Sequence, residues 1–103
     1  TNNVGDVDVL TQVGAANIAM GQVSVDATST GIQIVAARAT RRTVTIVNHG
    51  TTQVFLKGGS VATTTGVLLV GTVGASATFE SVSLIKGVTA SGSVTVSYVE
   101  EYD

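Results

Sequence analysis

The groups able to do chemistry are few: one histidine, seven acids, five bases and no cysteine among 103 residues. Nucleophilic catalysis would set Ser or Thr beside His49, with a carboxylate orienting the imidazole. His49 instead lies between Asn48 and Gly50, residues suited to a tight turn, and reads as a turn residue at a hairpin tip. Paired carboxylates for glycoside chemistry could be drawn from Asp26, Glu80 and Glu100. They fall on separate expected strands, which suits solvated or interface positions better. Asp6 and Asp8 could ligate calcium together, but no EF-hand spacing follows, and they read as two solvated arm residues. Gly71-Thr72-Val73-Gly74 has glycines without the spacing of a dinucleotide or phosphate loop. A lone histidine excludes a His-rich metal site, and the lack of cysteine excludes disulfides and thiolate sites. The chain is therefore expected to be no enzyme, with no catalytic residue, metal or cofactor.

One charge cluster stands out. Arg38, Arg41 and Arg42 are three of the five basic residues, and they sit together between two expected strands. A guanidinium forks onto a carboxylate and tolerates partial burial. The functional reading is an anchor between subunits, pairing with Glu100, Glu101 or Asp103 of a neighbouring copy; the alternative is a solvated loop. Charged residues are 12% of the chain against about 25% in an ordinary soluble domain. The net charge of −2 offers no field for nucleic acid or anionic membrane. No apolar run approaches the roughly 20 residues that span a bilayer. Thr1-Asn2-Asn3 lacks a secretory pattern and fits an initiator Met removed before a small residue.

The elements that must position these groups are strands. Nineteen Val and sixteen Thr, broken by twelve Gly, favour pleated structure. From residue 22 the apolar residues alternate with period two between turn signals. Strands are expected over 22–28, 31–36, 43–48, 53–57, 66–70, 76–80, 84–89 and 93–100. Val25, Ile34, Val44, Ile46, Val94, Val96, Phe79 and Tyr98 are among the residues expected to face inward, and Gly87 is a candidate bulge. Seven or eight short strands with Gly-containing turns describe an all-β, antiparallel β-sandwich, jelly-roll or immunoglobulin-like. Residues 1–21 are less regular and read as an N-terminal arm, extended or partly helical around Ala15 to Met20; residues 22–103 form the sandwich. The arm carries Val7, Val9, Leu10, Val13, Ile18 and Met20, too many apolar residues for an idle linker. It is expected to dock on a partner surface and to recover its ordering cost there.

The stretch Arg41-Arg42-Thr43-Val44-Thr45-Ile46-Val47-Asn48, with Val54-Phe55-Leu56 and Gly58-Gly59 after a short turn, resembles small structural proteins of tailed bacteriophages. So does Ile85-Lys86-Gly87-Val88-Thr89-Ala90-Ser91-Gly92 running into Val94-Thr95-Val96-Ser97-Tyr98-Val99-Glu100. The similarity covers about residues 22–100 and lies in strand and turn style rather than in a catalytic signature. It implies a head decoration (cement) protein on the outer capsid surface of the virion, made in the host cytoplasm, commonly a homotrimer and bound to the major capsid protein. Phe55, Leu68 and Leu69 lie in segments with more apolar surface than one small sandwich hides, and join the arginines, Glu100 and Tyr102 as expected interface residues. The alternative is a fibre module binding host-surface carbohydrate. The shortage of aromatics (Phe55 and Tyr102 are the spare pair) speaks against it.

Overall fold

The computed structural model describes residues 15–58 and 66–103. Eight strands occur among them: β1 (Asn17–Val25), β2 (Ile32–Val35), β3 (Arg41–Asn48), β4 (Val54–Gly58), β5 (Val67–Leu69), β6 (Ser76–Phe79), β7 (Ile85–Val88) and β8 (Val94–Tyr102). They form two four-stranded sheets, ordered β1-β8-β3-β6 and β2-β7-β4-β5, with every paired strand antiparallel. Each connection crosses from one sheet to the other except β4 to β5. That order is the jelly roll, two Greek keys folded face to face, and it decides between the two sandwiches open from sequence.

The sheets close on Val25, Ile34, Val35, Val44, Ile46, Val54, Leu56, Leu69, Ile85, Val94 and Val96, with Val23, Ala77, Phe79 and Tyr98 packed at the margins. β-branched residues dominate this layer because their stiff side chains lose little rotamer freedom on a pleated surface. β4 is apolar on both faces and lies inside its sheet, between β7 and β5. Leu69, read from sequence as an interface residue, is a core residue, paired in register with Val54.

One boundary of the sandwich moves. β1 begins at Asn17, inside the segment read as an arm, and pairs without interruption from Asn17↔Tyr102 to Val25↔Val94. Its start is disguised because the inward positions hold Ala19 and Gly21 while Ile18 and Met20 point outward. Gly21 is required there: a Cβ would sit 2.8 Å from the ring of Tyr98, its partner on β8. Of the two conformations open for that stretch, Asn17 to Met20 take the extended one. Val7, Val9, Leu10 and Val13, with Asp6 and Asp8, lie outside the described residues.

The irregularity expected at Gly87 sits across from it. β2 slips register between Gln33 and Val35 while Lys86 and Ile85 stay consecutive. Gly87 is small because the core closes over it, with a Cβ there 2.8 Å from Ile34 Cδ1 and 3.1 Å from Val54 Cγ1. Gly87→Ala is expected to cost about 1–3 kcal/mol by overpacking, read as a lower denaturant midpoint at unchanged slope. An unchanged midpoint would mean that Ile34 swings aside freely.

Candidate functional site

β3 starts with a bulge. Arg41 pairs with Tyr102 and Thr43 with Glu101, leaving Arg42 as the extra residue. Without it, strict alternation from Val44 and Ile46 would turn Arg42 inward; the inserted residue re-aims Arg41 into the sandwich instead. On β8, Glu100 follows Val94, Val96 and Tyr98 on the inward face. Both side chains are almost wholly buried, Arg41 at 0% and Glu100 at 4% exposure.

Burying charge is costly unless every charged group finds a partner. Here Arg41 Nε donates to Glu100 Oε2 at 2.8 Å. Its Nη1 donates to the carbonyls of Ser81 (3.0 Å) and Ser83 (2.7 Å), and Nη2 to that of Ala36. Arg38 completes the carboxylate from the solvent side, Nε to Oε2 at 3.3 Å and Nη2 to Oε1 at 3.2 Å. Its guanidinium lies 3.7 Å over the ring of Tyr102, a cation–π contact. The hydrogen bond to Glu100 raises the pKa of Arg38 above its ordinary value. Arg42 reaches Asp103 at 3.8 Å on the surface.

The arginines thus pair with the acids expected from sequence, but within one chain. The reason is register: β3 and β8 are neighbours, so the start of one meets the end of the other. Arg41 and Glu100 are consumed in closing this end of the sandwich and are inaccessible to a partner, while Arg38 and Tyr102 cap them. A carboxylate holding three N–H donors has no free base function, so the cluster ties loop 81–83, the β2–β3 connection and β8 together.

The other chemical groups are dispersed. His49 Nε2 is 2.9 Å from Ser97 Oγ on the exposed face of β8's sheet; among the described residues no carboxylate orients the ring, as the nucleophilic arrangement needs. Asp26 lies beyond the end of β1, at the opposite end of the sandwich from Glu100, and accepts hydrogen bonds from the amide (2.9 Å) and hydroxyl of Thr28. Among the described residues no three His, Asp or Glu gather to hold a metal. A cavity of about 360 Å³ is bordered by Leu56, Lys57, Val67, Phe79, Ser81 and Ile85; its lining is mainly apolar.

The hydroxyl of Thr28 first, and then its amide, hold the Asp26 carboxyl below its ordinary 3.8. A depressed carboxyl contributes stability that is complete above its unfolded value and is lost as pH falls through the folded one. The Thr28 amide resonance is therefore expected to titrate with a midpoint below 3.8, and Asp26→Asn to abolish that titration. A midpoint at or above 3.8 would mean that the turn is open in solution.

What the outer faces carry is plainer. On the first sheet, β1, β8, β3 and β6 set Met20, Val99, Thr45 and Thr78 in one row, with Ile18 two residues along. On the second, Leu68, Phe55 and Val88 form a row across β5, β4 and β7. Val88 is buried although it lies outside the core cluster. Among the described residues, Ile18, Met20, Val67, Leu68, Val70, Val73 and Val82 are the exposed large apolar ones, Met20 the most open of them at 68%. Sequence reasoning found Phe55, Leu68, Ile18 and Met20 but not Val88 or Val99, whose pairing across strands has no signal along the chain.

No family model matches the chain, and no curated protein matches it. A solved chain described under "Bacillus endospore appendages form a novel family of disulfide-linked pili" is similar at 18% identity and a TM-score of 0.41, over 84% of this chain and 88% of that one. At that level it adds nothing to the fold already described; the present sequence contains no cysteine.

Proposed function

We propose that this chain is a structural assembly protein that seats on a protein lattice, the tailed-phage capsid and its major capsid protein being the partner that the sequence resemblance implies. The observation that carries the reading is the division of labour among side chains. The arginines and Glu100 serve the fold, whereas large apolar residues are spent on the outside, on β1 and around β5. Single exposed apolar residues are ordinary, but here they gather as Ile18 and Met20 on one sheet and Val67, Leu68 and Val70 at the edge of the other, and gathered apolar surface marks interaction sites. Carbohydrate binding has less support. Tyr102 is covered by Arg38, and Phe55 is half-buried between Leu68 and Val88, so the spare aromatic pair offers no open platform for a sugar ring.

Co-sedimentation with phage heads stripped of their decoration protein tests the proposal. The intact chain is expected in the pellet, saturably, and Met20→Asp or Leu68→Asp to shift it to the supernatant. Removing residues 1–14, which leaves β1 whole, is expected to preserve the fold and weaken binding if Val7, Val9, Leu10 and Val13 dock. An intact chain that stays in the supernatant at every concentration would contradict the proposal.

A further inference from the structure

The two outer faces differ in sign. Among the described residues, Arg38, Arg41 and Arg42 have in-chain acidic partners, whereas Lys57, Lys86, Glu80 and Glu101 have none. The unpaired cations share the outer face of the second sheet, where Lys57 and Lys86 stand directly opposite each other. Like charges in that position repel. The unpaired anions share the first sheet: Glu101 pairs with Ile18 and Thr43, and Glu80 follows Phe79, the partner of Val44. Arg42, at the same end, is engaged by Asp103.

The spacing matches as well. On the first face the acidic row is two residues from the row Met20–Val99–Thr45, and on the second the lysine row is two residues from Leu68–Phe55–Val88. Two residues of strand are about 6.8 Å on either face. Both charged rows also lie at the same end of the sandwich. β3 starts and β8 finishes there, as do the last residues of β2 and β4, since Asn48 and Val54 flank the turn at the other end. A second copy laid on the first without inversion therefore brings lysines toward carboxylates and sets Val99, Thr45 and Thr78 over Val88, Phe55 and Leu68. Pairing either face with itself in that orientation sets like charge on like charge.

We propose that a second copy of this chain is the occupant of each face, the acidic face of one copy packing on the lysine face of the next in parallel, head-to-tail stacking. The proposal rests on the assembly reading and deepens it. The faces lie on opposite sides of one sandwich, so the contact is heterologous and each copy takes two neighbours; repeated, it propagates as an open stack where the expected trimer would close. Four strands about 4.8 Å apart and about 20 Å long give roughly 400 Å² per face. A pair then buries about 800 Å², less than a standard stable interface, so stacking is reversible and depends on concentration.

A chain without cysteine permits a clean test. Thr78→Cys on β6 marks the first face and Leu68→Cys on β5 the second, since these two edge strands lie over each other in such a stack, and the purified proteins are oxidised alone and mixed. The expected result is a disulfide dimer from the mixture and little from either variant alone. Reversing one side, with Lys57→Glu and Lys86→Glu on the Leu68→Cys protein, is expected to lower the yield about tenfold at low salt. Adding Glu80→Lys and Glu101→Lys to the Thr78→Cys protein is expected to restore it. Dimers formed as readily by either variant alone, no dimer in any combination, or no effect of charge reversal would each overturn the proposal. Because no capsid is present, these outcomes are independent of lattice binding: a chain that pellets with heads but fails to cross-link loses this inference alone.

Discussion

Replacing Glu100 by alanine is expected to lower the melting temperature by about 15 °C or more. Removing one partner of a buried pair strands the other, at about 3–5 kcal/mol, and a chain of this size loses roughly 4–8 °C per kcal/mol. Arg41 would be left with no exposure and no counter-charge. Glu100→Gln keeps an acceptor for Arg41 Nε and is expected to fall between wild type and alanine. Exchanging both residues for apolar ones is often neutral for an isolated buried pair, but here it should not restore stability. Arg41 also satisfies the carbonyls of Ala36, Ser81 and Ser83, which an apolar side chain would leave bare. Arg42→Ala, breaking only a surface contact of 3.8 Å, is expected within about 0.5 kcal/mol of wild type. Melting curves followed by circular dichroism read all four. Equal effects of Glu100→Ala and Arg42→Ala would mean that the cluster is not buried in solution.

Asn48→Ala is expected to have the second largest effect, about 2–4 kcal/mol, because it empties a fully buried site and takes the donors from two part-buried carbonyls and the acceptor from the Gly50 amide, at about 1 kcal/mol or more for each lost hydrogen bond. Asn48 is fully buried at the end of β3. Its Nδ2 donates to the carbonyls of Thr52 (2.9 Å) and Val70 (3.1 Å), and its Oδ1 accepts from the Gly50 amide (2.9 Å). One amide thereby joins the β3–β4 turn to the segment after β5, at the end of the sandwich opposite Arg41. Asn48→Asp removes the donors and adds a charge with no exposure, and is expected to be worse. Denaturant titration is the measurement, with a lower midpoint at constant slope; an unchanged midpoint would place these loops outside the cooperative unit.

The strands were legible in sequence wherever one face is buried and the other polar, as in β8, where Val94 and Val96 alternate with Thr95 and Ser97. β1 was legible only in part, because Ala19 and Gly21 hold its inward positions and the large residues face out. Arginine and carboxylate could be matched by chemistry, but not as partners within a chain. That depends on β3 and β8 being neighbours and on a bulge that turns Arg41 inward. Leu69 looked like Leu68 for the same reason: only register separates the residue over the core from the one outside it. Asn48 read as turn chemistry, which is half its role. The other half, bonding to Val70, spans a connection that no local pattern reports.

Sedimentation velocity of the intact protein over a wide concentration range tests most directly the proposal that the outer faces, with Met20 exposed on one and Leu68 on the other, drive association while the buried charges serve the fold. The wild-type sedimentation coefficient is expected to rise with concentration, while Met20→Asp and Leu68→Asp stay monomeric with unchanged circular dichroism and melting temperature. A wild-type protein that remains a monomer throughout, or face variants that associate just as it does, would contradict association of copies through these faces.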